Sequence, residues 1–231
     1  MPYYYGFDRT YILVLIGLII TMIAQANVQK AFAKYSKIST KKQITGKQTA
    51  NYILDTRGYN DIKIKQINNA MGDYFNPATK EVALSAQSIN DTSIASVAVA
   101  AHELGHVIQY KEGYTPLRIK SWLVPAVNFG SRLSLPLLFL GMFLASQNLI
   151  DVGLILFSLT LIFQVVTLPV EFNASRRALR VLEESGMLVG EENTYAANML
   201  KAAAYTYVAA TLTTALQFLR MFLLFGNRNR D

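Results

Sequence analysis

His102, Glu103, Leu104, Gly105 and His106 stand in a row, and these two histidines are the only ones in the chain. Residues four apart on a helix lie on one face, one turn from each other. Two imidazoles placed that way can hold one zinc ion at about 2.0–2.1 Å each. Glu103 is turned by about 100° from His102 around the helix axis. It is therefore read as a base that reaches the water beside such an ion and takes its proton, rather than as a ligand. The flanking run SIASVAVAAHELGHVIQY is otherwise small and apolar, a setting in which polar groups without partners are costly and a metal would satisfy them. The plain alternative is a helix carrying two exposed or hydrogen-bonded histidines and an ordinary acid.

A catalytic zinc usually takes three protein ligands and keeps one position open. With no third histidine and no cysteine, the third ligand must be a carboxylate. Asp73, Glu81, Glu112, Glu171, Glu183 and Glu184 are the candidates. Glu171 is the strongest: it follows an apolar run directly and is expected to open a helix, EFNASRRALRVLEES. An acid at a membrane border is expensive unless it has a partner. Its own alternative is an interfacial pairing with Arg176 or Arg177.

The elements that must position these groups lie in residues 30–120. Thr45 to Arg57 reads as a helix closed by Gly58 in a left-handed cap. Asp61–Ile67 alternates apolar and polar residues, as a half-buried strand does. Tyr74–Ser85 reads as a turn begun by Asn76-Pro77 and then a strand with Val82 and Leu84 on one face. That strand is expected at a sheet edge, where an extended substrate could add to it. The zinc-binding helix is expected to start from a cap at Asn90 or Asp91 and to end at Gly113.

The rest of the chain is apolar. Of 231 residues, 52% are hydrophobic and 16% charged, and the mean hydropathy is +0.25. This excludes a disordered chain and sits below the roughly 25% charged residues of ordinary soluble domains. The absence of cysteine excludes a disulfide framework, a thiolate metal site and a cysteine nucleophile. Uncharged stretches at Thr10–Gln29, Leu133–Ile150, Val152–Val170 and Ala202–Leu219 are about long enough to cross a bilayer. Pro125, Gly130, Arg132 and Pro136 are expected to bend the start of the second. Ala24-Gln25-Ala26 resembles a signal-peptide cleavage site. The acid-free cluster Lys30, Lys34, Lys37, Lys41, Lys42 and Lys47 favours a retained anchor, with that cluster on the cytoplasmic side. A link between the second and third stretches carrying only Asp151 suits an outside loop, and Arg176, Arg177, Arg180 and Lys201 then lie inside. Arg228 and Arg230 depart from the rule if the last stretch crosses. The net charge of +7 is read as topology signal and lipid contact, not nucleic-acid binding.

The segments AVAAHELGHVIQY, VEFNASRRALRVLEESGM and YTYVAATLTTALQFLR, with TGKQTANYILDTRGYNDIKI and YFNPATKEVALS, resemble the neutral zinc metallopeptidase family of bacterial membrane proteins. The likeness covers nearly the whole chain. More distantly, the chain is similar to membrane gluzincins of the HtpX and CAAX-prenyl-protease type. The resemblance implies that His102, His106 and Glu171 bind Zn²⁺ and that Glu103 is the catalytic base. In the distant families an Ala-Asp pair follows the Glu, where this chain has Ala174-Ser175. Support for a zinc-bound histidine would then come from Asn173, Ser175 or Arg176.

The expected architecture is a mainly α integral membrane protein with a small α+β zincin-like domain. Residues 1–29 form an anchor, 30–120 a cytoplasmic domain with the HExxH helix, 121–170 two transmembrane helices, 171–200 the helix of the third ligand, and 201–231 a hydrophobic helix. The expected function is zinc-dependent peptide hydrolysis at the cell membrane, with a protein or peptide substrate and the lipid bilayer as partners. The alternative is a zinc-stabilised, non-catalytic scaffold or chaperone-like subunit. A transporter would need ionisable groups in several spans, and these stretches are nearly free of them.

Overall fold

A computed structural model describes residues 8–69 and 72–226. In chain order its elements are α1 (Tyr11–Tyr35), α2 (Gly46–Thr56), β1 (Lys63–Ile67), β2 (Tyr74–Asn76), β3 (Glu81–Ser85), α3 (Ala86–Asn90), α4 (Ile94–Lys111), α5 (Thr115–Phe143), α6 (Gln147–Glu184) and α7 (Glu191–Phe225). Contacts divide the chain into two units. One comprises Gln25–Arg118 and Leu168–Tyr205; the other comprises Ile119–Thr167 with the described parts of Met1–Ala24 and Thr206–Asp231.

The first unit is built around α4. Helix α2 starts on a reciprocal cap: the Thr45 side chain accepts from the Gln48 N–H, and the Gln48 side chain accepts from the Thr45 N–H. Such a box satisfies two otherwise orphaned backbone donors. Gly58 takes the left-handed conformation just past the helix end, at φ 66°, where a side chain would be strained. The sheet has the order β1-β3-β2, with β1 parallel and β2 antiparallel to β3. Asn76 Oδ1 accepts from the N–H groups of Ala78 and Thr79 and fixes the β2–β3 turn. Val82 and Leu84 are fully buried against Ile53, Ile94, Leu104 and Ile108, so sheet, α2 and α4 share one apolar core.

Two expectations are corrected here. Strand β3 is not an edge. A short strand, β2, covers one side of it and β1 the other, because the turn at Asn76-Pro77 folds back three residues too few to show a period-two pattern. Helix α4 is not capped by Asn90 or Asp91. Asn90 ends the short helix α3, Asp91 is its C-cap, and Ser93 caps α4 by accepting from the Ser96 N–H at 3.3 Å. Serine at the cap serves as well as Asn or Asp, so three neighbouring candidates could not be ranked from sequence.

Among the described residues four helices, α1, α5, α6 and α7, are long and apolar enough to cross a membrane. Helix α1 runs unbroken through Ala24-Gln25-Ala26. The turn between α5 and α6 is Leu144-Ala145-Ser146, inside the stretch expected to be the second span, and Asp151 belongs to α6. The apolar residues continue through that turn, so hydropathy could not locate it. Pro125 and Pro136 lie inside α5, and Pro169 inside α6. Glu171 is consequently in the middle of α6 rather than at the start of a new helix. The polarity change at Glu171 marks a change of surroundings, not a break in the backbone. Arg228 and Arg230 lie outside the described residues.

Candidate metal centre

His102 and His106 project from one face of α4, their rings edge to face with centroids 4.8 Å apart. Glu171, from α6, brings its carboxylate between them: Oε2 is 3.3 Å from His102 Nε2 and 3.4 Å from His106 Nε2. The carboxylate is 3% exposed and the imidazoles 15% and 13%, so the donors are sheltered while the rings remain reachable. A glycine permits this approach. A Cβ on Gly105 would lie 2.4 Å from the Ala174 carbonyl oxygen, so α4 and α6 meet backbone to backbone. That contact lies one residue from His106 and about one helical turn from Glu171.

The far side of each ring is also held. Gln109 gives both amide hydrogens away, to the Val170 carbonyl at 2.8 Å and to Asn173 Oδ1 at 3.0 Å. Its Oε1 is therefore the acceptor that meets His106 Nδ1 at 3.0 Å. Arg177 anchors this assignment. Its Nε donates to the same Asn173 Oδ1 at 2.7 Å, and arginine has no acceptor. Arg177 Nη1 is in turn paired with Glu112. Polarity thus runs from Arg177 through Asn173 and Gln109 to His106, places a ring hydrogen on Nδ1, and leaves Nε2 as the nitrogen that faces Glu171. On His102, Nδ1 meets the Ser175 hydroxyl at 3.1 Å.

The same 3.3 and 3.4 Å separations suit either a proton shared between nitrogen and carboxylate or a cation held by both. The two nitrogens and the carboxylate all fall within 4.8 Å of one another. Zinc bonds of about 2.0–2.1 Å at tetrahedral angles set neighbouring donors roughly 3.3–3.4 Å apart, which matches both nitrogen–oxygen edges. The donor set therefore fits zinc. Among the described residues, these three form the one group of histidines and acids with such convergence.

Glu103 stands apart from the three. It is buried, at 7% exposure, and accepts a hydrogen bond from the Phe75 backbone N–H. Burial pushes its carboxyl up to about 7, the nearby charges of Glu171 and Asp73 push the same way, and His102 and the Phe75 bond oppose them. None of the other candidate acids joins the group of His102, His106 and Glu171. Asp73 accepts from the Ser85 N–H at 2.6 Å and from the Ser88 hydroxyl at 3.1 Å. Glu112 pairs with Arg177, with Arg57 at 4.0 Å. Glu81 lies on β3, and Glu183 and Glu184 are exposed near the end of α6. Of the supports expected from the sequence, Ser175 touches His102, Asn173 acts through Gln109, and Arg176 is exposed. Gln109 itself was not anticipated. Its signal was available: a polar residue three positions after His106 shares its helix face.

The chain resembles known proteins over most of its length. A family model described as "Putative neutral zinc metallopeptidase" matches residues 10–226. The "Putative membrane protease YugP" of Bacillus subtilis (strain 168) is 42% identical over 205 residues, which is 88% of this chain and 91% of that protein. No solved structure matches the chain. With the match extending from the first apolar helix through His102, His106 and Glu171 to the last, the chain belongs to this neutral zinc metallopeptidase family.

Proposed function

We propose that the protein is a membrane-embedded, zinc-dependent endopeptidase whose zincin-like part, residues 30–120 together with the helix of Glu171, lies on the cytoplasmic side. The observation that carries this reading is the convergence of Glu171 on two imidazole Nε2 atoms, one of them in a ring whose Nδ1 hydrogen is held by Gln109. His102, His106 and Glu171 would hold the ion. A zinc ion supplies Lewis acidity toward a peptide carbonyl and toward water. Glu103 takes the proton of the attacking water and passes it to the leaving amine. The water oxygen becomes part of the new carboxyl group as the C–N bond breaks. Ser175 and Gln109 orient the rings throughout, as outer partners of metal-bound histidines do.

An extended protein or peptide substrate would add to the sheet at β2, since β3 is flanked on both sides. Phe75 of β2 is tied to Glu103 and its ring packs on Tyr110 at 5.6 Å, so a peptide on this strand lies beside the base. The lysine cluster after the apolar run of α1 supports the cytoplasmic orientation, and the bilayer rather than nucleic acid accounts for the positive charge.

The test is to purify the protein without chelators and measure zinc content and cleavage of unfolded casein. Wild type and Glu103→Gln should each carry one zinc per chain, Glu171→Ala should lose it, and only wild type should cleave, in a chelator-sensitive way. Zinc without turnover in wild type points instead to a metal-stabilised scaffold. Cleavage by Glu103→Gln at the wild-type rate removes Glu103 from the mechanism.

A further inference from the structure

We propose that a groove between α1 and α7 binds the phosphodiester headgroup of an anionic phospholipid. The groove is a cavity of about 330 Å³, a size at the lower end of small-ligand pockets, roughly 300–1,000 Å³. On α1 it is lined by Asn27, Lys30, Ala31 and Lys34. On α7 it is lined by Asn198, Lys201, Ala202 and Tyr205. Both sets follow the spacing i, i+3, i+4, i+7, which gathers residues on a single helix face. Both place an asparagine and a lysine one turn apart, with an alanine next to the lysine. The two methyl side chains leave room between the helices, while the amides and ammonium groups supply hydrogen-bond donors to an occupant.

The charge is one-sided. No acid lines the cavity, and among the described residues Lys30, Lys34 and Lys201 form no ion pair with a carboxylate. Lys34 lies over the Tyr35 ring at 5.1 Å and Lys201 over the Tyr205 ring at 5.9 Å. The lysines and Tyr205 are exposed. Along α1 the groove residues follow the long apolar run, and along α7 Lys201 precedes it. Both helices therefore place the groove just on the polar side of membrane-length segments, the level of lipid headgroups, where tyrosine and lysine anchors gather. A lysine there attracts anionic lipid by roughly fivefold in affinity. The apolar flanks favour a phosphate that carries acyl chains over a free anion.

The full chain in neutral detergent should be titrated with dioctanoyl phosphatidylglycerol, dioctanoyl phosphatidylcholine and inorganic phosphate, and binding read by thermal shift. Phosphatidylglycerol alone should bind. The triple variant K30Q/K34Q/K201Q should weaken it by on the order of 100-fold at low salt. The control K47Q/K63Q/K65Q, which removes equal charge from exposed positions outside the groove, should stay within twofold. K201Q alone, expected to cost about fivefold, keeps the test readable if the triple variant does not fold. Ala31→Leu retains every charge but fills the groove, and should cost at least about tenfold. Equal loss in the control, or an unaffected Ala31→Leu variant, overturns a built site in favour of diffuse attraction. Displacement of the lipid by equimolar phosphate or by a polyglutamate peptide overturns the lipid assignment.

Discussion

Replacing Gly105 by alanine should force α4 and α6 apart at the candidate metal centre. The added Cβ would sit 2.4 Å from the Ala174 carbonyl oxygen, and it cannot escape by rotation because the obstacle is backbone. Relief to the 3.0–3.4 Å of tight but real contacts requires roughly 0.6–1.0 Å of separation. Metal–ligand distances tolerate only about ±0.2 Å. The shift is thus several times larger than a coordination bond can absorb, and it acts between the helix bearing both imidazoles and the helix bearing Glu171. The variant should lose at least about 10–100-fold in zinc affinity, the range seen when outer partners of metal ligands are disturbed. It should also lose about 1–3 kcal/mol of stability, as overpacked cores do. Competition against a chromophoric chelator measures the first and chemical denaturation the second. Zinc affinity within twofold of wild type would refute the argument that backbone contact at Gly105 sets the position of the third donor.

Glu103→Gln should bind zinc normally yet lower kcat for casein by on the order of 10²–10⁴-fold, the usual contribution of a positioned base; a smaller drop in steady-state cleavage argues against the role. Ser175→Ala and Gln109→Ala should each lower zinc affinity by about 10–100-fold without removing a ligand, measured by chelator competition. Arg177→Met should act in the same direction through Asn173, by about tenfold, and an unchanged affinity would break the chain of orientation from Arg177 to His106. Asp61 is held down to about 2 by hydrogen bonds from Lys111 and then Lys80, below the unfolded value of about 3.9. A depressed carboxyl contributes stability above the unfolded value and loses it as pH falls through the folded one. Asp61→Asn should therefore melt below wild type at pH 6, and the gap should close as the pH approaches 2.

His102, Glu103 and His106 were legible because one helix carries them at fixed spacing, and that spacing alone specifies a face. Glu171 was legible only by elimination, as an acid that an apolar run leaves at a costly place. The turn at Leu144–Ser146 was hidden because its residues are as apolar or as small as the helices it joins. Strand β2 was hidden because three residues carry no periodicity, and with it went the location of the sheet edge. The partners of the imidazoles split the same way. Ser175 is near Glu171 in sequence and was among the candidates; Gln109 acquires its importance only when α6 brings Asn173 and Val170 across to it. Contacts within one helix follow from spacing, whereas contacts between helices depend on how closely the backbones approach, which Gly105 decides without advertising it.

The continuity of α6 bears on how the proposed peptidase would be assembled. Two of the candidate donors leave the ribosome with α4, but the third is about 65 residues further along, on the same continuous helix as an apolar segment long enough to cross a membrane. A nascent or mis-targeted chain would carry the histidines and the base yet lack a complete coordination sphere. In the proposed peptidase, hydrolytic power would then arrive only with successful integration, a safeguard for the surrounding proteome.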